Sequence, residues 1–275
     1  MAVVLSLLSA LSYGVSDFLG GLFSKRSGPW QVAVVGQSSS TVANLVVGLV
    51  VGGVVTGQDW AWAAGAGVGG GLGTAFLYRG LAGARMGVVA PLSAVGTALL
   101  PVAVGLAIGE RPSPLAVLGV ISAMPAIWLI SRVADEDPSH RGGVVDGVLA
   151  GLGFGLLFVC LGRIGEDAGI VPLALTQLVS VAVVALTAVS LRQAWVPRDP
   201  AAWRALAMGP LGAAATGLFV YATHHGLLSV VSVISALYPA STVVLAALVL
   251  KERIHVWQGV GLALAAAAVT LVALG

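Results

Sequence analysis

The 275-residue chain is 58% hydrophobic and 9% charged, with a mean hydropathy of +1.03 and a formal net charge of +2. That composition leaves too little polar surface to cover a water-soluble globule and predicts an integral membrane protein. A single cysteine, Cys160, excludes an intrachain disulfide and any cysteine-based metal cluster.

A bilayer core takes about 20 apolar residues per helix. Ten stretches reach that length: residues 2–23, 31–55, 61–81, 87–108, 115–133, 145–163, 171–191, 203–223, 229–250 and 256–274. They are continuous and rich in Leu, Ala, Val and Gly, whereas a barrel needs alternating stretches of about 10 residues, so an all-α bundle is the expected solution. Span 1 lacks a basic flank and contains Asp17, so it reads as a membrane helix and not as a cleaved signal. It carries Ser9, Ser12, Tyr13 and Ser16, and Asp17 is the one carboxylate well inside a predicted span. In a cavity Asp17 could bind a cation or exchange a proton; at an interface it would pair with Lys25, Arg26 or Arg79.

Span 2 adds Gln37, Thr41 and Asn44. Span 3 carries Gly65, Gly69 and Gly73, with Gly67 and Gly71 on a neighbouring stripe. Such stripes let helix backbones approach closely, inside the bundle or at a dimer interface. Span 4 places Ser93, Thr97 and Pro101 at four-residue spacing and exits through Glu110. A polar break at 134–144 then divides the chain into residues 1–133 and 145–275, five spans each.

In the second half, span 6 has its own stripe, Gly147, Gly151 and Gly155, and holds Cys160, expected to be a small buried apolar residue. Span 7 contributes Gln177 and Ser180, and span 8 ends in His224 and His225, which fit a membrane boundary. Span 9 sets Ser232, Ser235, Pro239 and Thr242 at helical spacing, with Tyr238 beside them, and exits through Glu252. Pro101 and Pro239 each free a carbonyl one turn earlier. These hydroxyls, amides and rings are candidate lining for one cavity. The competing reading has each Ser and Thr bonding its own helix or gluing helices together. Glu110 and Glu252 lie too near the surface for a midplane site and read as structural or gate residues.

The halves resemble each other. Residues 87–119 and 229–261 align without gaps and share ten identities, including Ser93 with Ser235, Glu110 with Glu252 and Arg111 with Arg253. Tyr13 and Gly14 align with Phe154 and Gly155, and Gln37 and Ser40 with Gln177 and Ser180. Because five spans is an odd number, the second half enters the membrane with opposite orientation, giving two inverted five-helix repeats, a recurring transporter plan with the site between the repeats.

LLSALSYGVSDFLGG in span 1 and the exits GERPSPLAVLGV and KERIHVWQGVGL resemble the drug/metabolite transporter superfamily, EamA-like branch. The resemblance implies a secondary carrier or exporter with a central cavity, whose relatives handle amino acids, other metabolites, nucleoside-like compounds or cationic drugs. Many relatives carry an Arg in the second helix where this chain has Gln37 and Ser38, so an anionic group would lack that partner here.

There is no HExxH, GxSxG, CxxC, P-loop or intramembrane carboxylate pair, so an enzyme is not expected, nor is a cofactor or metal. The expected function is secondary transport, with export favoured, of a small metabolite, amino-acid-like or drug-like compound by alternating access, open to proton coupling. A flippase of a lipid-linked or amphipathic substrate, or a channel, is the alternative. Expected partners are the small-molecule substrate and membrane lipid, with no nucleic acid, in a monomer or homodimer of the plasma membrane. Eleven of the 13 Lys and Arg residues fall on the side of the loops after spans 1, 3, 5, 7 and 9. The positive-inside rule makes that side cytoplasmic and puts both termini outside, whereas the family resemblance implies both termini inside.

Overall fold

The computed structural model describes residues 1–24, 26–83, 86–131, 143–251 and 253–275. These fold as α1 (Ala2–Ser24), α2 (Pro29–Val51), α3 (Gly57–Gly83), α4 (Met86–Ala107), α5 (Pro114–Ser131), α6 (Val144–Leu161), α7 (Val171–Ser190), α8 (Met208–Thr223), α9 (Leu228–Ser235), α10 (Tyr238–Val249) and α11 (Val256–Leu274), with no strand among them. Short 3-10 turns occupy Glu166–Ala168 and Pro200–Ala207. Among the described residues seven stretches are long and apolar enough to cross a membrane. The side-chain distribution fits lipid as the solvent. Val50, Leu186 and Leu248 point outward, while Ser6, Ser9, Asn44, Thr97, Thr176 and Ser180 are buried inside.

One predicted element differs. Residues 229–250 were expected as one helix, but the stretch is divided into α9 and α10 at Ala236–Leu237. Pro239 sits in the first turn of α10 and has no N–H for the carbonyl of Ser235, so the α-ladder cannot run through. The gap is bridged by tighter turns, with Leu237 N–H donating to Ile234 O at 3.1 Å and Ala240 N–H to Leu237 O at 2.9 Å.

The glycine stripes are used within the chain. A Cβ on Gly69 would lie 2.7 Å from Gly153 O in α6, and one on Gly73 would strike the Phe154 ring. Gly67 and Gly71, on the other side of α3, meet Thr176, Val179 and Val183 of α7. The stripe of α6 faces α4 instead, where Gly151 and Gly96 come so close that an added Cβ would lie 2.9 Å from the partner's Cα. α3 is therefore held between α6 and α7, and α6 between α3 and α4. Across the molecule, α1 packs on α8, α9 and α10, α2 on α7 and α8, and α5 on α11.

Buried hydroxyls tie these neighbours together, because a helix in lipid must satisfy its polar groups within the protein. Ser9 Oγ donates to Ala215 O at 2.8 Å, linking α1 to α8. Ser40 Oγ donates to Gly209 O at 2.9 Å, linking α2 to α8, and Ser180 Oγ donates to Gly67 O at 2.9 Å, linking α7 to α3. At the basic end of the bundle, Arg79 at the end of α3 pairs with Asp146 in the first turn of α6 through Nε at 2.8 Å. Arg79 is therefore committed to Asp146 and does not pair with Asp17.

At the other end, where both termini lie, the loops after α2 and α6 are zipped together. Val54 N–H donates to Asp167 O at 2.7 Å, and Gly165 N–H donates to Asp59 Oδ1 at 2.8 Å. Gly52, Gly53 and Gly169 all have positive φ in this zipper, and a Cβ on Gly53 would lie 2.6 Å from Ala168 O. Asp59 also accepts from Thr56 N–H at 2.9 Å and Thr56 Oγ1–H at 2.6 Å. The Thr56 hydroxyl and the Gly165 amide together hold the Asp59 carboxyl below the usual carboxylate range.

Candidate functional site

A cavity of about 680 Å³ lies inside the bundle. Its deep end is walled by Tyr13 of α1, Phe158 of α6 and Tyr238 at the break between α9 and α10, with the Tyr13 ring 6.0 Å from Phe158 and 6.4 Å from Tyr238 between centroids. From there it runs past Ser24, Pro29, Ile130 and Gln258 to the basic end of the bundle. Beyond Phe158 the other end is plugged by a dry cluster that includes Phe219, Leu161, Leu228 and Val231. Phe158 stacks on Phe219 at 4.3 Å. The cavity is thus closed toward the termini and extends toward the basic loops.

Local structure explains the position of each wall. Gly14 lets α1 approach the broken helix, since a Cβ there would lie 2.6 Å from Tyr238 O and 2.5 Å from Ser241 Cβ. Thr242 Oγ1 fixes the contact by donating to Gly14 O at 3.1 Å. That approach brings Tyr13 beside Tyr238, and Asp17, one turn further along α1, lines the cavity with its side chain exposed to it. Gln37 donates through Nε2 to Thr74 Oγ1 at 3.3 Å and keeps a buried Oε1 with no partner. Ser93, 1% exposed, lines the cavity with its Oγ also unpartnered.

The structure gathers ten of the residues singled out from sequence into this wall: Tyr13, Ser16, Asp17, Gln37, Ser93, Thr97, Gln177, Ser180, Tyr238 and Thr242. The others lie elsewhere. Ser12 is on α1 outside the lining, and Thr41 Oγ1 bonds its own helix at Gln37 O, 2.9 Å away. Asn44 is 1% exposed on α2, and Ser232 and Ser235 are fully buried in α9 with unpartnered hydroxyls. Glu110 lies away from the cavity, accepting from Leu228 N–H at 2.6 Å and Ser229 N–H at 3.0 Å at the start of α9. Glu252 is outside the described residues.

Sequence reasoning passed over Thr74, Thr216, Gln258 and Phe158 as lining residues. Phe154, which the repeat alignment pairs with Tyr13, also lines the cavity, so the alignment already held a signal for it. No group of three or more His, Cys, Asp or Glu that could hold a metal occurs among the described residues. Cys160 is buried against Gly65 as a small apolar group.

The second half of the chain carries a likeness to a known family. Residues 141–274 match the EamA-like transporter family. That match, over just under half of the chain, and the seven apolar stretches support a multi-pass membrane protein of the drug/metabolite transporter type. A solved structure titled "Crystal structure of protein" is similar to this chain over nearly its whole length, with a TM-score of 0.78, 18% identity, and coverage of 99% of this chain and 97% of that one. At that identity the likeness shows the fold. A search of the curated proteins found no match.

Proposed function

We propose that this EamA-like protein is a secondary active transporter that exports a small metabolite, amino-acid-like or drug-like compound by alternating access between two inverted five-helix repeats, residues 1–133 and 145–275. The observation that carries the reading is the cavity. It is about 680 Å³, large enough for a drug-sized molecule, is built from both halves, and is plugged at one end only. A channel would need a path through both ends.

Crossed packing supports the repeat. Ser40 and Ser180 occupy corresponding places in the two halves and make corresponding bonds, one from α2 to α8 and the other from α7 to α3. Gly14 seats α1 against α10 just as its counterpart Gly155 seats α6 against α4. Rocking one repeat against the other would open the plugged end and close the basic one. Eleven of 13 cationic residues belong to the end where the cavity extends, and the positive-inside rule places that end in the cytoplasm of a plasma-membrane protein. The cavity would then load from the cytoplasm, as export requires.

In this reading Gln37, Gln177, Ser93 and Thr97 orient the substrate, Asp17 couples transport to proton movement, and Glu110 closes the end that carries the termini. The test is counterflow in proteoliposomes, with a library of labelled metabolites and drugs outside and unlabelled excess inside. Saturable, transient accumulation of one class supports the carrier. Movement of lipid-linked substrates only, or non-saturable flux, refutes it.

A further inference from the structure

The 3-10 helix that leads into α8 carries an arginine where lipid is its neighbour. This element, Pro200–Ala207, is pinned to the α2 segment at both ends: Ser27 Oγ donates to Asp199 Oδ2 at 3.4 Å, and Ser39 Oγ donates to Leu206 O at 2.8 Å. The stretch from Ser27 to Ser39 covers about 18 Å at the α-helical rise and the 3-10 helix about 16 Å, so the two run side by side from the basic end into the membrane.

Three residues per turn sort the side chains of the 3-10 helix into three columns. Ala202 and Ala205 are fully buried, Ala205 in a cluster with Val32 and Val35 of α2. Trp203 and Leu206 form the second column, 51% and 48% exposed, and Arg204 is exposed on the third. None of the three lines the cavity, so these columns face the surrounding lipid.

Arg204 lies about 8 Å further in than Pro200, counting four residues at the 3-10 rise. Its guanidinium is always charged, and it makes no ion pair among the described residues. Asp199, the nearest acid in sequence, is occupied by the Ala201 N–H at 2.8 Å and by Ser27. A charge at this depth is costly unless its long stem carries it up to an anion at the headgroup level. Arg26 and Arg198, both exposed, flank the Ser27–Asp199 junction in sequence and make the rim above it positive.

We infer that this face docks an anionic phospholipid of the basic-side leaflet, with its phosphate on Arg204 and its acyl chains along Trp203 and Leu206. Charge complementarity selects the lipid: a choline headgroup would bring its own cation to a rim that already holds Arg26 and Arg198. The site is independent of the transporter reading, because binding is measured without transport.

The test is native mass spectrometry of the purified full-length protein, released from micelles doped with equal amounts of phosphatidylglycerol and phosphatidylcholine of matched acyl chains. We expect the first retained lipid to be phosphatidylglycerol with a preference of at least about fivefold. Arg204→Gln should remove most of that preference, Arg204→Lys should keep part of it, and Arg192→Asn, which removes the same charge from the same loop, should leave it unchanged. Equal retention of the two lipids by the unaltered protein overturns the inference whatever the variants do. Equal losses in Arg204→Gln and Arg192→Asn also overturn it, since the preference would then belong to the diffuse charge of the basic end.

Discussion

Replacing Glu110 should shift the balance between the two accessible forms, and the size of the effect can be worked from its contacts. The carboxylate accepts from two backbone N–H groups at the start of α9, Leu228 at 2.6 Å and Ser229 at 3.0 Å, and so ties the turn after α4 to the turn before α9. Gly105 makes the room, since a Cβ there would collide with the carboxylate. Hydrogen bonds to a charged acceptor contribute about 1.5–3 kcal/mol each, and an acid at a helix N-terminus adds about 0.3–1 kcal/mol. At a partly exposed rim the freed N–H groups rehydrate, which lowers the net loss for Glu110→Ala to about 2 kcal/mol. If the tie exists only when the end carrying the termini is closed, that loss changes the closed-to-open ratio by roughly thirtyfold. The assay is a spin-label distance between Ile108→Cys and His225→Cys in a Cys160→Ala background. Unaltered Glu110 should give one short distance, Glu110→Ala should add a longer one, and Glu110→Gln, which keeps one acceptor, should fall between. A distance distribution unchanged by Glu110→Ala, with unchanged thermal stability, would refute the reasoning.

Three further outcomes are expected. Asp59 titrates below the usual carboxylate range of about 3.9 when folded, so its stabilisation is complete well above that pH and is lost as pH falls through the lowered native value; Asp59→Asn should remove this acid-dependent part of the melting curve in thermal scans across the acidic range. Gly14→Ala should force α1 from α10, costing about 1–3 kcal/mol of stability by thermal unfolding and weakening ligand binding, whereas Thr242→Val, which removes one hydrogen bond, should cost about 0.5–1.5 kcal/mol. Gln37→Ala combined with Gln177→Ala should slow transport of the true substrate more than paired alanines at exposed Gln193 and Gln58 do; equal rates would assign both amides to helix packing.

Much of the architecture could be read before any coordinates, because lipid makes hydropathy nearly decisive. The glycine stripes of spans 3 and 6 announced close helix contacts, and the structure shows where they go: Gly69 against Gly153, Gly151 against Gly96. Periodicity placed Tyr238, Thr242, Ser93 and Thr97 on faces that do line the cavity, yet it could not separate them from Ser232 and Ser235, which share the pattern and are buried in helix packing. The difference arises at Ala236–Leu237, where the helix breaks and its phase shifts, so spacing counted across Pro239 no longer reports one face. Thr74 and Thr216 escaped for another reason. Each lies on a helix whose sequence has little polar pattern, and each becomes a wall residue only through the helices that happen to lie opposite.

The crossed packing also bears on how the chain is made. α1 leaves the ribosome well before the groups that complete it, Ala215 O for Ser9 and the start of α10 for Gly14, which lie more than 200 residues later in the chain. Until then α1, with its carboxylate, must wait in the membrane beside α2 and other temporary company. An Asp inside an early helix is therefore also a burden on insertion, and truncated nascent chains ending before α8 should expose it to the quality-control machinery of the cell.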